Sequence, residues 1–148
     1  MDKFNSEGYL DLTTYRALVK IEQEERAARK AANFRPLVYI CSPYSGDIDN
    51  NTKKARLYSR FAVTKGTIPL AVHLLFPQYI SEKCERTLAL FMGAVILGKC
   101  KEVWVFGDTI SEGMASEIAK AKKMGKIIRY FTEGLEEITH EDKGSCLQ

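Results

Sequence analysis

From residue 37 onward the chain alternates short, continuous apolar runs with stretches of helical period, and this pattern restricts the possible folds more than any other feature. Leu37-Val38-Tyr39-Ile40-Cys41 has the length and β-rich composition of a strand buried on both faces. A polar loop from Ser42 to Asp49 leads into a helix through about Lys65, with Ala55, Tyr58, Phe61 and Ala62 as its inward stripe and Gly66 as its stop. The pattern repeats with Thr67 to Val72 as strand, a loop around Pro77, a largely apolar helix from about Glu85 to Leu97 and a strand from Glu102 to Phe106. A helix from Glu112 to Met124, ending at Gly125, and a strand from Lys126 to Phe131 complete it. Alternation of this kind predicts an α/β fold with a mainly parallel sheet and helices on both faces.

Ahead of this region Leu12, Tyr15, Leu18 and Val19 recur at helical spacing, and the stretch runs on to about Ala32. Its second half carries Glu22/Arg26 and Glu25/Arg29 at i,i+4, the pattern of a solvated helix face. The expected organisation is a helical extension over 1–34, an α/β domain over 35–132 and a polar tail over 133–148. A chain of 148 residues accommodates one substantial core and no second domain.

Charge and composition exclude several classes of function. The net charge is only +3, and basic residues alternate with acidic ones, as in Glu24-Glu25-Arg26 and Lys101-Glu102, so there is no stripe to follow a nucleic-acid backbone. Leu88 to Leu97, the longest apolar stretch, falls far short of the ~20 residues of a membrane span, and the N-terminal residues are charged where a secretory signal would be apolar. A cytoplasmic protein with no membrane or nucleic-acid polymer as partner is expected. The cysteines at 41, 84, 100 and 146 form no C-x-x-C pair and meet only two histidines, which suggests free thiols and neither a metal site nor a disulfide framework.

In an open parallel sheet the ligand lies beyond the carboxyl ends of the strands, which singles out loops 42–48, 73–77 and 107–113. Ser42-Pro43-Tyr44-Ser45-Gly46 offers hydroxyls and a glycine just ahead of a helix N-terminus, where backbone N–H groups and the helix dipole favour an anion. Its plainer interpretation is a turn made by Pro43 and Gly46, with Asp49 or Asn50 capping the helix. The loop has neither the Walker pattern nor the three glycines of a dinucleotide fingerprint, so ATP-driven chemistry and hydride transfer are disfavoured and no cofactor is expected. His73, followed by Leu74-Leu75-Phe76-Pro77, would set an imidazole beside an apolar wall, as a contact for a base or sugar and not as a catalyst; Phe76 can equally be core.

The third loop is the most informative. Ser111-x-Gly113-Met114-x-x-Glu117-Ile118, followed by Ala121, resembles the signature of the nucleoside 2-deoxyribosyltransferase and deoxynucleoside 5'-monophosphate N-glycosidase superfamily, and Tyr39-Ile40-Cys41-Ser42-Pro43-Tyr44 resembles its first-strand motif. From about Arg35 to Phe131 the chain is similar to a DUF4406-like branch of that superfamily. The resemblance implies a three-layer Rossmann-like (flavodoxin-like) fold. It also implies Glu117 as nucleophile, Ser111 with the Gly113-Met114 backbone at the 5' end of a nucleotide, and Tyr39 near the sugar. Gly107 belongs to the same loop and is counted with the substrate-binding residues. The superfamily's additional aspartate has no counterpart, because the region reads Leu90-Phe91-Met92-Gly93-Ala94; Asp108 is the substitute considered, with helix capping as its alternative.

The activity so implied is cleavage or transfer at the N-glycosidic bond of a nucleoside or nucleotide through a glutamate ester, the nucleotide being favoured by Ser42, Ser45 and Ser111 near two helix N-termini. The alternative is a module that sequesters or senses a nucleotide without cleaving it. Members of the superfamily are commonly homo-oligomers, and the helix around Leu88 to Leu97, apolar on every side with small Ala89, Gly93 and Ala94, is the expected interface.

Overall fold

The computed structural model describes residues 12–139, which divide into two compact units at the Phe34/Arg35 boundary. The first is a single helix, α1 (Leu12–Ala32), with no buried residue. Arg26–Glu22 and Arg29–Glu25 ion pairs lie along it, both exposed and therefore worth only tenths of a kcal/mol.

The second unit contains a five-stranded sheet of β1 (Leu37–Cys41), β2 (Ile68–Leu70), β3 (Glu102–Phe106), β4 (Ile127–Phe131) and β5 (Glu137–Ile138) in the order β2-β1-β3-β4-β5. The first four strands are parallel, with Val38 beside Glu102 and Glu102 beside Ile127, and β5 pairs antiparallel with β4. This is the doubly wound order of flavodoxin-like folds, whose switch point lies between β1 and β3. The fold expected from the alternation is therefore the one found.

Helix α2 (Ile48–Thr64) covers one face of the sheet, and α4 (Arg86–Lys99) with α5 (Glu112–Lys123) covers the other. Because strand side chains alternate, β1 and β3 contribute to both layers. Val38, Ile40, Trp104 and Phe106 meet Tyr58 and Ala62 of α2, whereas Tyr39, Cys41, Val103 and Val105 meet Leu97 of α4 and Met114, Ile118 and Ala121 of α5.

The structure departs from the sequence expectation in two elements. Strand β2 spans only Ile68–Leu70, and Val72–Leu75 forms a short helix, α3, followed by a 3-10 turn at Phe76–Gln78. Pro69 lies opposite Val38 and has no N–H to donate, a residue that only an edge strand accommodates. The second departure is β5, which forms inside the stretch read as polar tail. Arg129 holds it, donating two hydrogen bonds to the Glu137 carboxylate at 2.8 and 2.7 Å while stacking on Trp104. Part of that expected tail, 140–148, and Cys146 with it, lie outside the described residues.

Candidate active site

Helix α5 is positioned by its first residues. Ser111 has extended backbone geometry and caps the helix, its Oγ accepting from the Met114 N–H at 3.3 Å. Met114, Ile118 and Ala121 then bury against the sheet, and Glu117, at the border of that stripe, is partly buried. On the sheet below, Tyr39 rises from the middle of β1 on the same face. Its Oη donates to Glu117 Oε1 at 2.9 Å. Two of the expected site residues, 78 positions apart in the chain, thus form a pair.

The second carboxylate oxygen, Oε2, is buried and makes no hydrogen bond among the described residues. A small cavity of about 40 Å³, room for a few water molecules, opens at this carboxylate between α4 and α5. Tyr39, Glu117 and Lys120 form one wall, and Ala89, Gly93 and Ala94 of α4 form the other. Of the apolar run 90–94, it is therefore Gly93 and Ala94, with Leu90 at the rim, that face the glutamate.

Burial pushes the Glu117 carboxyl above the ordinary carboxylate range, while the Cys41 thiol, the Tyr39 hydroxyl and the Lys120 ammonium pull in the opposite direction without cancelling it. Burial and the charge of Glu117 push both the Tyr39 phenol and the Cys41 thiol up, so both remain protonated and available as donors. Cys41 also lies 3.9 Å from the Met114 carbonyl. The thiol is thus part of the carboxylate's surroundings, besides being a buried hydrophobe as its apolar run suggested.

The other expected residues gather at the strand ends. Tyr44 and His73 stack with ring centroids 4.9 Å apart and 8° between planes, joining the first and second loops. Burial lowers the His73 pKa, so the imidazole is neutral at pH 7. Ser42 is buried, and Asn51 Nδ2 donates to the carbonyls of Tyr44 and Ser45, fixing the loop through Pro43 to Gly46. Gly46 and Gly107 have φ of +98° and +107°, conformations that disfavour any side chain at either strand-end turn. Phe76 is core.

Three details differ from expectation. The α2 cap is Asp47, whose Oδ1 accepts from the Asn50 N–H at 3.2 Å; neither Asp49 nor Asn50 has that role. Its carboxylate occupies the helix N-terminus at which an anion was expected to dock, so that end already has its negative charge. The Met114 side chain is buried and its N–H is engaged by Ser111, which leaves Gly113, with open space around its Cα, as the exposed backbone of that pair. Asp108 is exposed, is not the helix cap, and acts electrostatically on the Tyr58 phenol of α2; no described hydrogen bond joins it to Glu117.

Sequence reading missed Lys120 and the involvement of Cys41 with the carboxylate. Both had a signal: Lys120 is at i+3 from Glu117, and Cys41 is two strand residues from Tyr39, hence on the same face. Among the described residues, no group of three or more His, Cys, Asp and Glu side chains is arranged to hold a metal ion.

A family model described as a domain of unknown function, DUF7768, matches residues 36–131, the whole stretch from β1 through β4. The chain belongs to the DUF7768 family. That family, and not the DUF4406-like branch that the chain's motifs resemble, is the one the match shows. No curated protein matches the sequence. Among solved structures, the DUF7768 chain is similar to a 2-deoxyribosyltransferase from the psychrotolerant bacterium Bacillus psychrosaccharolyticus, a biocatalyst for the synthesis of nucleosides. The likeness has a TM-score of 0.50 at 18% identity and covers 74% of this chain and 81% of the other. At that identity it shows a shared fold.

Proposed function

We propose that this DUF7768 domain binds a nucleoside or nucleoside 5'-monophosphate and cleaves or transfers its N-glycosidic bond, with Glu117 as the nucleophile. The observation that carries the reading is the state of the Glu117 carboxylate. One oxygen is held by Tyr39 at 2.9 Å, and the other is buried next to a cavity, with no hydrogen bond of its own among the described residues; the Cys41 thiol and the charge of Lys120 act on the carboxylate besides. N-glycosidic cleavage develops positive charge on the sugar, which a carboxylate beneath C1' stabilises and then traps as an ester. Holding Oε1 leaves Oε2 free to form that bond. The ester then passes to water in hydrolysis or to a second base in transfer.

Ser111 and the exposed Gly113 backbone at the α5 N-terminus are the groups suited to a 5'-phosphate, since the α2 N-terminus is occupied by Asp47. The cavity of about 40 Å³ does not enclose a whole nucleoside, so in this reading the ligand either extends beyond it or displaces α4. Ala89, Met92 and Ile96 of that helix pack partly buried against the core, and Leu97 is the one fully buried residue of the helix. Its outer side carries exposed Leu88, Leu90, Phe91 and Val95, with Phe91 67% exposed, and in this reading a second copy of the chain covers that side. No described helix is long and apolar enough to cross a membrane.

A second reading, binding without cleavage, draws on the cavity wall, where Glu117 is the one carboxylate. Free base released from a panel of deoxynucleoside and ribonucleoside monophosphates separates the two readings. Release by wild type that disappears with Glu117→Gln supports the glycosidase. Saturable binding with no release, unaffected by Glu117→Gln, removes the glycosidase reading in favour of the binding module.

A further inference from the structure

When a C1'–N bond breaks, its electron pair goes to a ring nitrogen of the departing base, and a nucleobase anion leaves slowly unless a proton or a positive charge meets it. Glu117 cannot be the donor, because in the proposed reaction it must attack as the carboxylate. The opposite wall of the cavity is hydrocarbon, with Ala89, Gly93 and Ala94 facing the carboxylate. Tyr39 is committed, its hydroxyl donating to Glu117 Oε1.

One other ionisable side chain lines the cavity. Lys120 lies one helical turn beyond Glu117 on α5, is half-buried, and acts on the carboxylate through its charge. Its Nζ makes no described ion pair within 4 Å, whereas Lys54 and Arg129 are both paired with carboxylates. A lysine near a helix C-terminus ordinarily just complements the dipole. In α5, Lys122 and Lys123 already do so from exposed positions.

We propose that Lys120 is a catalytic residue that protonates the departing base, an inference that rests on the glycosidase reading above. In the first step Glu117 Oε2 bonds to C1', the C1'–N pair moves onto the base nitrogen, and that nitrogen takes a proton from the Lys120 ammonium. In the second step water attacks C1' of the ester, Glu117 leaves as carboxylate, and the proton released by water restores the ammonium. The products are neutral base and free sugar, and no further reactant is needed.

The test compares two leaving groups on one 2-deoxyribosyl 5'-phosphate: a nucleobase, which needs the proton, and 4-nitrophenol, which departs as its anion. Lys120→Met is expected to slow base release by about 100-fold or more and to change nitrophenol release by less than about threefold. Retained nitrophenol release also shows that the variant is folded and its nucleophile intact. Equal losses on both substrates, no loss on either, or full base release by Lys120→Arg would overturn the assignment of Lys120 while leaving Glu117 in place. Wild type that releases neither group in a Glu117-dependent manner would remove the glycosidase reading itself, and the role of Lys120 with it.

Discussion

Residues 38 and 40 of β1 point into one layer of the molecule and residues 39 and 41 into the other, and the two layers are built differently. On the α2 side the filling is aromatic. Phe106 stacks on Tyr58 at 4.4 Å and on Phe131 at 4.9 Å, and Phe61 meets both Phe106 and Phe131 edge-on. On the α4/α5 side, Tyr39 supports a carboxylate, Cys41 lies close by, and the facing helix offers alanines and a glycine around a hole. A buried carboxylate and an unfilled cavity both reduce stability. The same strands can bear that cost because their alternate residues are packed into a dense aromatic layer on the other side.

The largest expected effect is on activity. Glu117→Gln should lower base release by about 10³-fold or more, since the amide cannot form the ester. Its effect on stability should be opposite in sign. Glu117 has a folded-state pKa raised above the unfolded value, so its contribution is fully present below the unfolded carboxylate range and is lost as pH rises through the raised value. The Gln variant should therefore melt above wild type at neutral pH, and the gap should close in acid. A Gln variant that melts lower at pH 7 would mean that the α5 side needs its charge to fold.

Phe106→Ala tests the other layer. Removal of a fully buried ring between two stacked partners should cost about 3–5 kcal/mol in chemical denaturation, with the rate per folded molecule little changed. A rate loss as deep as the stability loss would show that the two layers are not separable. Tyr39→Phe is expected to act more gently and on the site alone. The hydroxyl pulls the Glu117 pKa down, so its removal should move the acid limb of kcat/KM to higher pH and slow the neutral-pH reaction by about tenfold. An unmoved limb would mean that the hydrogen bond at 2.9 Å does not tune the nucleophile.

The two layers also differ in how much of them could be read from the residues. Strands β1 and β3 were legible because a parallel strand buried on both faces is a continuous apolar run, and Leu37–Cys41 and Glu102–Phe106 have the expected bounds. The place of Glu117 at the edge of the Met114, Ile118 and Ala121 stripe followed from helical period alone. The α2 cap was misread as Asp49 or Asn50 because capping depends on which residue has non-helical backbone angles, and that residue is Asp47. Strand β5 carries no local signal. Its two residues are held by the free edge of β4 and by Arg129, contacts that only the folded chain brings together. Lys120 was readable as the i+3 neighbour of Glu117, but not as part of a cavity wall, which does not exist until α4 lies across α5.

Gly93 is where this comparison can be tested with the smallest change. A Cβ added there would meet Tyr39 Oη at 3.9 Å and Phe76 Cε2 at 4.0 Å, both ordinary contacts, so alanine fits without displacing backbone or ring. Within α4, replacing glycine by alanine should contribute about 1 kcal/mol through backbone entropy, seen as a rise of a few degrees in Tm. The same methyl group would project over the Tyr39 hydroxyl into the space in front of Glu117. If the ligand uses that space, Gly93→Ala gains stability and loses several-fold in kcat/KM, and the opening is a cost borne for function. If the variant is more stable and equally active, the ligand approaches from elsewhere and the cavity is a packing defect. A fall in Tm would instead show that α4 is already packed tightly at that point, and that the contrast between the two layers is smaller than their side chains suggest.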